Sequence, residues 1–361
     1  MYFKKLTSLA IVCCLFSCKV GRFIIYNFAD IKDYKKFPNR TIANQSTDQF
    51  KFELAQEFIE FSEILPNFDE SLSDNETVAF LVIQNDSIRY EKYFNNYSDS
   101  SVVPSFSMAK SFTSILIGCA IEDQLVESIN VPIIKYIPEL ANKGFQNVTL
   151  EHLLQMTSGI EFNESYLNPF GHAASLYYGR NLRAEISKLK MRDEPGRAFN
   201  YVSGDTQLLG LVLSRALGEK TISAYFEEKI WTPLQMEFDA SWSIDKKKDG
   251  LEKTFCCVNA RARDFAKIGR LYLNKGNWNG EQIINEKWVK NSTLYSSLNG
   301  SYAGYQYQWW IPNQTGDFMA QGILGQFIFV SPSKNLIIVR LGKNYGRMNW
   351  INLFEKIKRL F

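Results

Sequence analysis

Apolar and polar positions along the chain fall into distinct rhythms, and each rhythm predicts an element. After "MYFKK", the stretch "LTSLAIVCCLF" is apolar over eleven residues, well short of the ~20 that span a bilayer. A short basic start before such a run reads as an export signal. In "QFKFELAQEFIEFSEIL", residues 49–65, apolar positions recur at three and four. That spacing predicts a helix, within an extension (residues 19–75) that packs on the main body. "TVAFLVIQNDSIRYEKYF" holds two β-rich runs around Asn85-Asp86, the pattern of a hairpin. "PSFSMAKSFTSILIG", residues 104–118, opens an apolar run with helical spacing. Helical patterns and long loops occupy residues 126 to about 249, and "FIFVSPSKNLIIVRLG" forms a second strand pair around Pro-Ser-Lys-Asn. Strands at both ends with helices between predict an α+β fold. Its sheet joins distant segments, and a mostly helical region is inserted.

Composition narrows the partners. The 361 residues are 45% hydrophobic and 14% aromatic, enough for a sizeable core. Formal charge is +3, from 41 basic and 38 acidic residues with no long run of either sign. Such a chain carries no electrostatic footprint for nucleic acid. Cys13, Cys14 and Cys18 fall in the leader, leaving Cys119, Cys256 and Cys257. An odd number with two neighbours argues against a disulfide framework, and these thiols read as small buried residues.

Scarcity of histidine constrains the chemistry most. Only His152 and His172 exist. His152 sits in the apolar stretch "LEHLLQMTSGI" and reads as a helix-end or core residue, His172 as a surface or pocket-rim residue. Neither suits a Ser-His-Asp triad, and no metal-ligand spacing is present, so neither metal nor cofactor is implied. A serine can instead be armed by a lysine one helical turn on, provided the amine falls from a pKa of about 10.4 toward 7, a cost of about 4 kcal/mol. Burial and the positive end of a helix would both push it that way. Ser107 and Lys110 have this spacing, but so do Ser187/Lys190, Ser243/Lys246 and Ser331/Lys334. Only the first pair opens an apolar helix; the others lie in a basic helix face, a polar loop and a turn.

Several stretches in order, across about residues 76–361, carry a resemblance: "SMAKSFTSILIG", "LVESINVPIIKYIPEL", "LEHLLQMTSGI", "PGRAFNYVSGDTQLLGLVL", "WTPLQM", "ARDFAKIGRLYLNKGNW" and "AQGILGQFIFVSPSKNLIIV". The chain resembles the serine β-lactamase and penicillin-recognising superfamily, in the branch of class C enzymes, D-Ala-D-Ala peptidases, esterases and 6-aminohexanoate-dimer hydrolases. The resemblance implies a β-lactamase/transpeptidase-like fold, an antiparallel sheet flanked by helices. It makes Ser107 the acylated nucleophile, Lys110 its base and Tyr201 a proton shuttle drawn toward phenolate by the lysine. Ser203 takes the place of an asparagine in the second motif. In the third motif Ile323-Leu324-Gly325 stand where a cation is usual, with Gly325 allowing close approach and the N–H groups of Ser107 and Gln326 forming the oxyanion hole. Without that cation, recognition of a substrate carboxylate should weaken by about 1.5–3 kcal/mol. The implied activity is therefore cleavage of a small amide or ester through an acyl-enzyme. Its rivals are a penicillin-binding peptidase or class C-type β-lactamase, and a non-catalytic binder or sensor.

Tyr166, Tyr178 and Trp309, with neighbouring Trp310, are candidates for the cleft wall or for plain packing. Asn259 is a candidate for the site or for capping the next helix. Leu15-Phe16-Ser17 before Cys18 resembles a bacterial lipobox, which would make Cys18 a lipidated first residue and the membrane a partner through that anchor.

Overall fold

The structure is a computed structural model that describes residues 21, 22, 26, 28–56, 59–297 and 300–361. The leader and Cys18 lie outside the described residues. Among those described, no helix is long and apolar enough to cross a membrane.

The strands in chain order are β1 (Asn39–Ile42), β2 (Glu53–Leu54), β3 (Thr77–Gln84), β4 (Ser87–Tyr93), β5 (Val103–Pro104), β6 (Ala240–Ser243) and β7 (Val258–Ala260). They continue with β8 (Asn277–Trp278), β9 (Glu281–Gln282), β10 (Tyr305–Gln306), β11 (Trp309–Trp310), β12 (Phe318–Gly322), β13 (Gln326–Ser331) and β14 (Leu336–Gly342). The main sheet runs β10-β11-β12-β13-β14-β3-β4-β2, so the two predicted hairpins meet at β14 and β3. Asn85 and Asp86 both take positive φ, 51° and 59°, as a two-residue turn matched to strand twist requires.

β3 is apolar almost without a break because both its faces are covered. Ala79, Leu81 and Ile83 point into the principal core. Phe80 and Val82 point the other way, onto Phe68 and Leu72 of the Phe68–Asp74 helix and Trp350 and Phe354 of the Trp350–Lys358 helix. On the principal side the Ala262–Leu273 helix lies on β13 and β14. Gly269 permits that approach, since a Cβ there would stand 2.9 Å from Ile328 Cγ2.

A second sheet runs β1-β6-β7-β5, and β5 leads into the Met108–Glu122 helix. This helix packs against the Ser203–Ala216 helix as well as β12 and β13, which buries every residue from Met108 to Ala120. The fold class expected from the sequence is the one observed.

The helix expected over residues 49–65 does not form among the described residues of that span, 49–56 and 59–65. Glu53–Leu54 instead extends along the open edge of β4, where Glu53 N–H donates to Asp86 O (3.1 Å) and Ala55 N–H to Ile88 O (3.1 Å). Phe50 and Phe52 lodge against the body, Phe50 on Trp278 and Arg270. Unpaired edge backbone outweighs local periodicity here. The cysteine expectation also needs correction. Cys256 and Cys257 are disulfide-bonded to each other, while Cys119 is the free, buried thiol its composition suggested.

The two ends of the domain are clamped by Arg340, fully buried on β14. Its guanidinium donates to Asn75 O (2.7 Å), Asn344 O (2.8 Å), Leu324 O (3.0 Å) and Gly325 O (2.7 Å), and lies 4.0 Å over the Trp350 ring. Arg340→Met would remove the donor from four carbonyls, that of Gly325 buried and the others part-buried. Urea unfolding is expected to show a loss of about 3 kcal/mol or more.

Candidate active site

β5 delivers the chain to Phe106, whose φ of 44° is left-handed. A β-carbon in that region costs roughly 1–2 kcal/mol. Burial of the Phe106 ring holds the conformation. Ser107 follows as the residue that caps the Met108–Glu122 helix, yet its hydroxyl makes no capping bond. It faces a cleft of about 260 Å³ lined also by Glu164, Tyr166, Tyr201, Trp310, Gln321, Gly322, Ile323 and Tyr345.

One turn on, Lys110 is 1% exposed. Its Nζ donates to Ser107 Oγ (3.2 Å), Ser203 Oγ (3.1 Å) and the Phe255 carbonyl (3.0 Å), three acceptors for three protons. Burial pulls its pKa down to about 8, and the Glu164 carboxylate works against that fall. When the ammonium gives up a proton, its new lone pair needs a donor. Phe255 offers only a carbonyl. The Ser203 hydroxyl is committed to Glu164 Oε1 at 2.6 Å, and Glu164 Oε2 accepts from the Ser203 N–H at 2.7 Å. Only the Ser107 O–H is free to turn toward the neutral amine, so the surroundings aim the base at that hydroxyl. The other three Ser-x-x-Lys pairs make no such contact: Ser187 bonds Ala184 O, Ser243 bonds Asn39 Oδ1 and Ser331 faces Ser333.

Tyr201 also meets Ser107, with its phenol on that hydroxyl and its ring 5.1 Å from Lys110 Nζ. Burial raises its pKa and outweighs the lowering by Ser107. The expected phenolate is therefore corrected: Tyr201 holds its proton. Tyr166 lines the cleft as expected, its phenol 3.3 Å from Ser203 Oγ and 3.4 Å from Glu164 Oε1.

The third-motif register is corrected by three residues. "AQGILGQ" contains two glycines, and Gly322 rather than Gly325 meets the nucleophile: a Cβ on Gly322 would stand 2.4 Å from Ser105 O and 3.1 Å from Ser107 N. Gly325 sits in the turn behind (φ 79°), against Arg340. Gln326 pairs with Gly322 across the hairpin and is fully buried, its amide on Gly342 O at 2.7 Å. The backbone beside Ser107 is that of Gly322 and Ile323, and the side chain preceding the glycine is Gln321, bonded to Tyr345 OH at 2.9 Å.

Three further candidates lie off the cleft. Tyr178 is buried against Tyr177 and Tyr26. Trp309 is buried on Tyr272 and Phe318, and its neighbour Trp310 faces the cleft, since successive strand residues alternate faces. Asn259 is fully buried on β7, its amide donating to Asn39, Ser241 and Ser243, neither in the cleft nor capping a helix. His152 and His172 are structural: His152 Nδ1 accepts from Thr149 N–H in a capping box, and His172 Nδ1 accepts from Asn163 N–H. Glu164 was not singled out by the sequence reading. It is one of 38 acidic residues, and only its place two before Tyr166 marks it.

The Beta-lactamase family matches residues 67–347. The 6-aminohexanoate-dimer hydrolase of Paenarthrobacter ureafaciens is 24% identical over 298 residues, 77% of this chain and 75% of that protein. A Bacillus anthracis structure, provisionally named a 6-aminohexanoate-dimer hydrolase, superposes with a TM-score of 0.78 at 27% identity over 90% of both chains. A family VIII carboxylesterase shares the fold, with a TM-score of 0.62 at 18% identity over 85% of this chain and 99% of that one. Fold and relatives together define a serine hydrolase. The chain belongs to the Beta-lactamase family.

The pH dependence of acylation follows from Lys110. Protonated below about 8, the amine cannot act as base, so kcat/KM should rise with pH through about 8. Glu164→Gln removes the charge that favours the ammonium. Its acid limb should move to lower pH, while its plateau falls because Ser203 becomes free to compete for the lone pair. Both are read from stopped-flow acylation by a chromogenic ester across pH.

Proposed function

We propose that the protein hydrolyses a small, neutral or linear amide or ester through an acyl-enzyme on Ser107. The observation that carries this reading is the charge of the cleft: among its lining residues there is no cation, and Gln321 with its Tyr345 partner occupies the place beside Gly322. A penicillin or peptide carboxylate would find no charge-assisted partner there, at a cost of about 1.5–3 kcal/mol.

In the first half-reaction Ser107 Oγ bonds to the carbonyl carbon as its proton passes to neutral Lys110. The carbonyl electron pair moves onto oxygen, held by the N–H groups of Ser107 and Ile323. On collapse the bond to the amine or alcohol breaks, and Tyr201 donates its proton to the leaving group, regaining one from Lys110. Water then attacks the acyl carbon, loses its proton to the same groups, and Ser107 leaves with a proton restored. Glu164, through Ser203, orients Lys110 and touches no reacting atom.

The 6-aminohexanoate-dimer hydrolase relatives support an amide substrate of this kind. Export with a lipid anchor at Cys18 and a helical insertion at about residues 126–249 belong to the same proposal.

Intact-mass measurement after incubation with a fluorophosphonate, a p-nitrophenyl ester and a penicillin provides the test. A stable phosphonyl adduct and a transient ester adduct are expected, both lost in Ser107→Ala, with little penicilloyl adduct. Tyr201→Phe should slow turnover by about 10²–10⁴. Absence of any adduct, or a persistent penicilloyl adduct as the main product, would defeat the reading.

A further inference from the structure

A second cavity, about 700 Å³, shares no lining residue with the cleft. Three segments distant in sequence build it: the N-terminal extension, the connection at Arg180, and the loop after β6. Six basic side chains line it, Arg22, Lys35, Lys36, Arg180, Lys246 and Lys247, against one carboxylate, Asp245.

That carboxylate is already spent on the backbone. Asp245 Oδ2 accepts from Leu182 N–H at 2.7 Å and Oδ1 from Leu251 N–H at 2.9 Å. Lys36 is paired with Asp33 at 2.7 Å. Among the described residues, Lys35, Arg180, Lys246 and Lys247 line the cavity without an ion pair. Arg22 is a buried guanidinium, 5% exposed. Behind the lining, Lys253 is also buried, donating to Tyr177 O with its Nζ 3.7 Å over the Phe37 ring. Burial first, and Arg22 second, pull its pKa down to about 7. Six cations set against Asp245 and the Lys36-paired Asp33 leave the concave site with an excess of positive charge, a cost that an anion brought from outside relieves. Guanidinium and ammonium groups converging from three sides match tetrahedral oxyanions.

We propose that this cavity binds a phosphate-type anion. The ligand is either a free phosphate compound or the phosphate of an anionic lipid headgroup. The proposal does not depend on the reaction assigned to the cleft.

The test uses full-chain protein carrying Cys18→Ser, so that no anchor contributes. Pyrophosphate is titrated by calorimetry, and co-sedimentation compares phosphatidylcholine vesicles with and without phosphatidylglycerol. The double variant Arg180→Glu/Lys247→Glu changes two exposed positions and should leave ester hydrolysis intact. Lys135→Glu/Lys290→Glu, two exposed positions outside the cavity, makes the same change in net charge and is the control. Saturable pyrophosphate binding that weakens about tenfold or more in the double variant supports a free phosphate ligand. Phosphatidylglycerol-dependent sedimentation lost in the same variant, without pyrophosphate binding, supports a headgroup. No binding to either probe, or an equal loss in Lys135→Glu/Lys290→Glu, overturns the proposal.

Discussion

The active centre depends on a lysine amine kept out of water between three acceptors, of which only the Ser107 hydroxyl is free to offer it a proton. Moving Lys110 from its ordinary pKa to about 8 corresponds to about 3 kcal/mol, and the fold carries that load through its architecture. The Met108–Glu122 helix is buried from Met108 to Ala120 because the sheet covers one flank and the Ser203–Ala216 helix the other. The same enclosure that hides the amine also fixes its neighbours. The Phe255 carbonyl comes from the residue before the Cys256–Cys257 disulfide, a segment bound to the nucleophile helix again where Thr113 donates to Thr254 O at 2.9 Å. Cys257 completes this segment with a φ of 73°.

Two effects compete at Lys110, and their balance sets the chemistry. Burial drives the amine toward its neutral form, while the Glu164 carboxylate, reached through Ser203, favours the ammonium. Burial wins, so the amine titrates near neutrality. Glu164 nonetheless contributes what burial cannot, which is direction: by holding the Ser203 proton it leaves Ser107 as the one hydroxyl able to meet the lone pair. Tyr201 shows the complementary result. Burial favours its neutral form too, which for a phenol means keeping its proton, so one enclosure favours a neutral amine and a neutral phenol beside a single oxygen.

How much of this was legible in the sequence depended on whether local pattern or tertiary contact decided the outcome. The two hairpins and the nucleophile helix follow from runs whose periodicity agrees with their burial. Ser107, Lys110 and Tyr201 were readable from ordered motifs, and the structure brings them together. Where neighbours decided, the reading failed. Residues 49–65 have helical spacing but meet an open strand edge. Two glycines in "AQGILGQ" each permit close approach, and only the packing of Gly322 on Ser107 selects one. Trp309 and Trp310 differ by the side of a strand, which requires its register. Glu164 acts through a contact 39 residues distant in sequence, and no local pattern announces it.

Direct titration of the lysine amine is the sharpest test. In protein labelled with ¹³C at lysine Cε, the resonance missing from Lys110→Met should titrate near pH 8, separately from one missing in Lys253→Met. A Lys110 resonance that stays fully protonated to pH 10 while ester turnover proceeds at neutral pH would contradict the account.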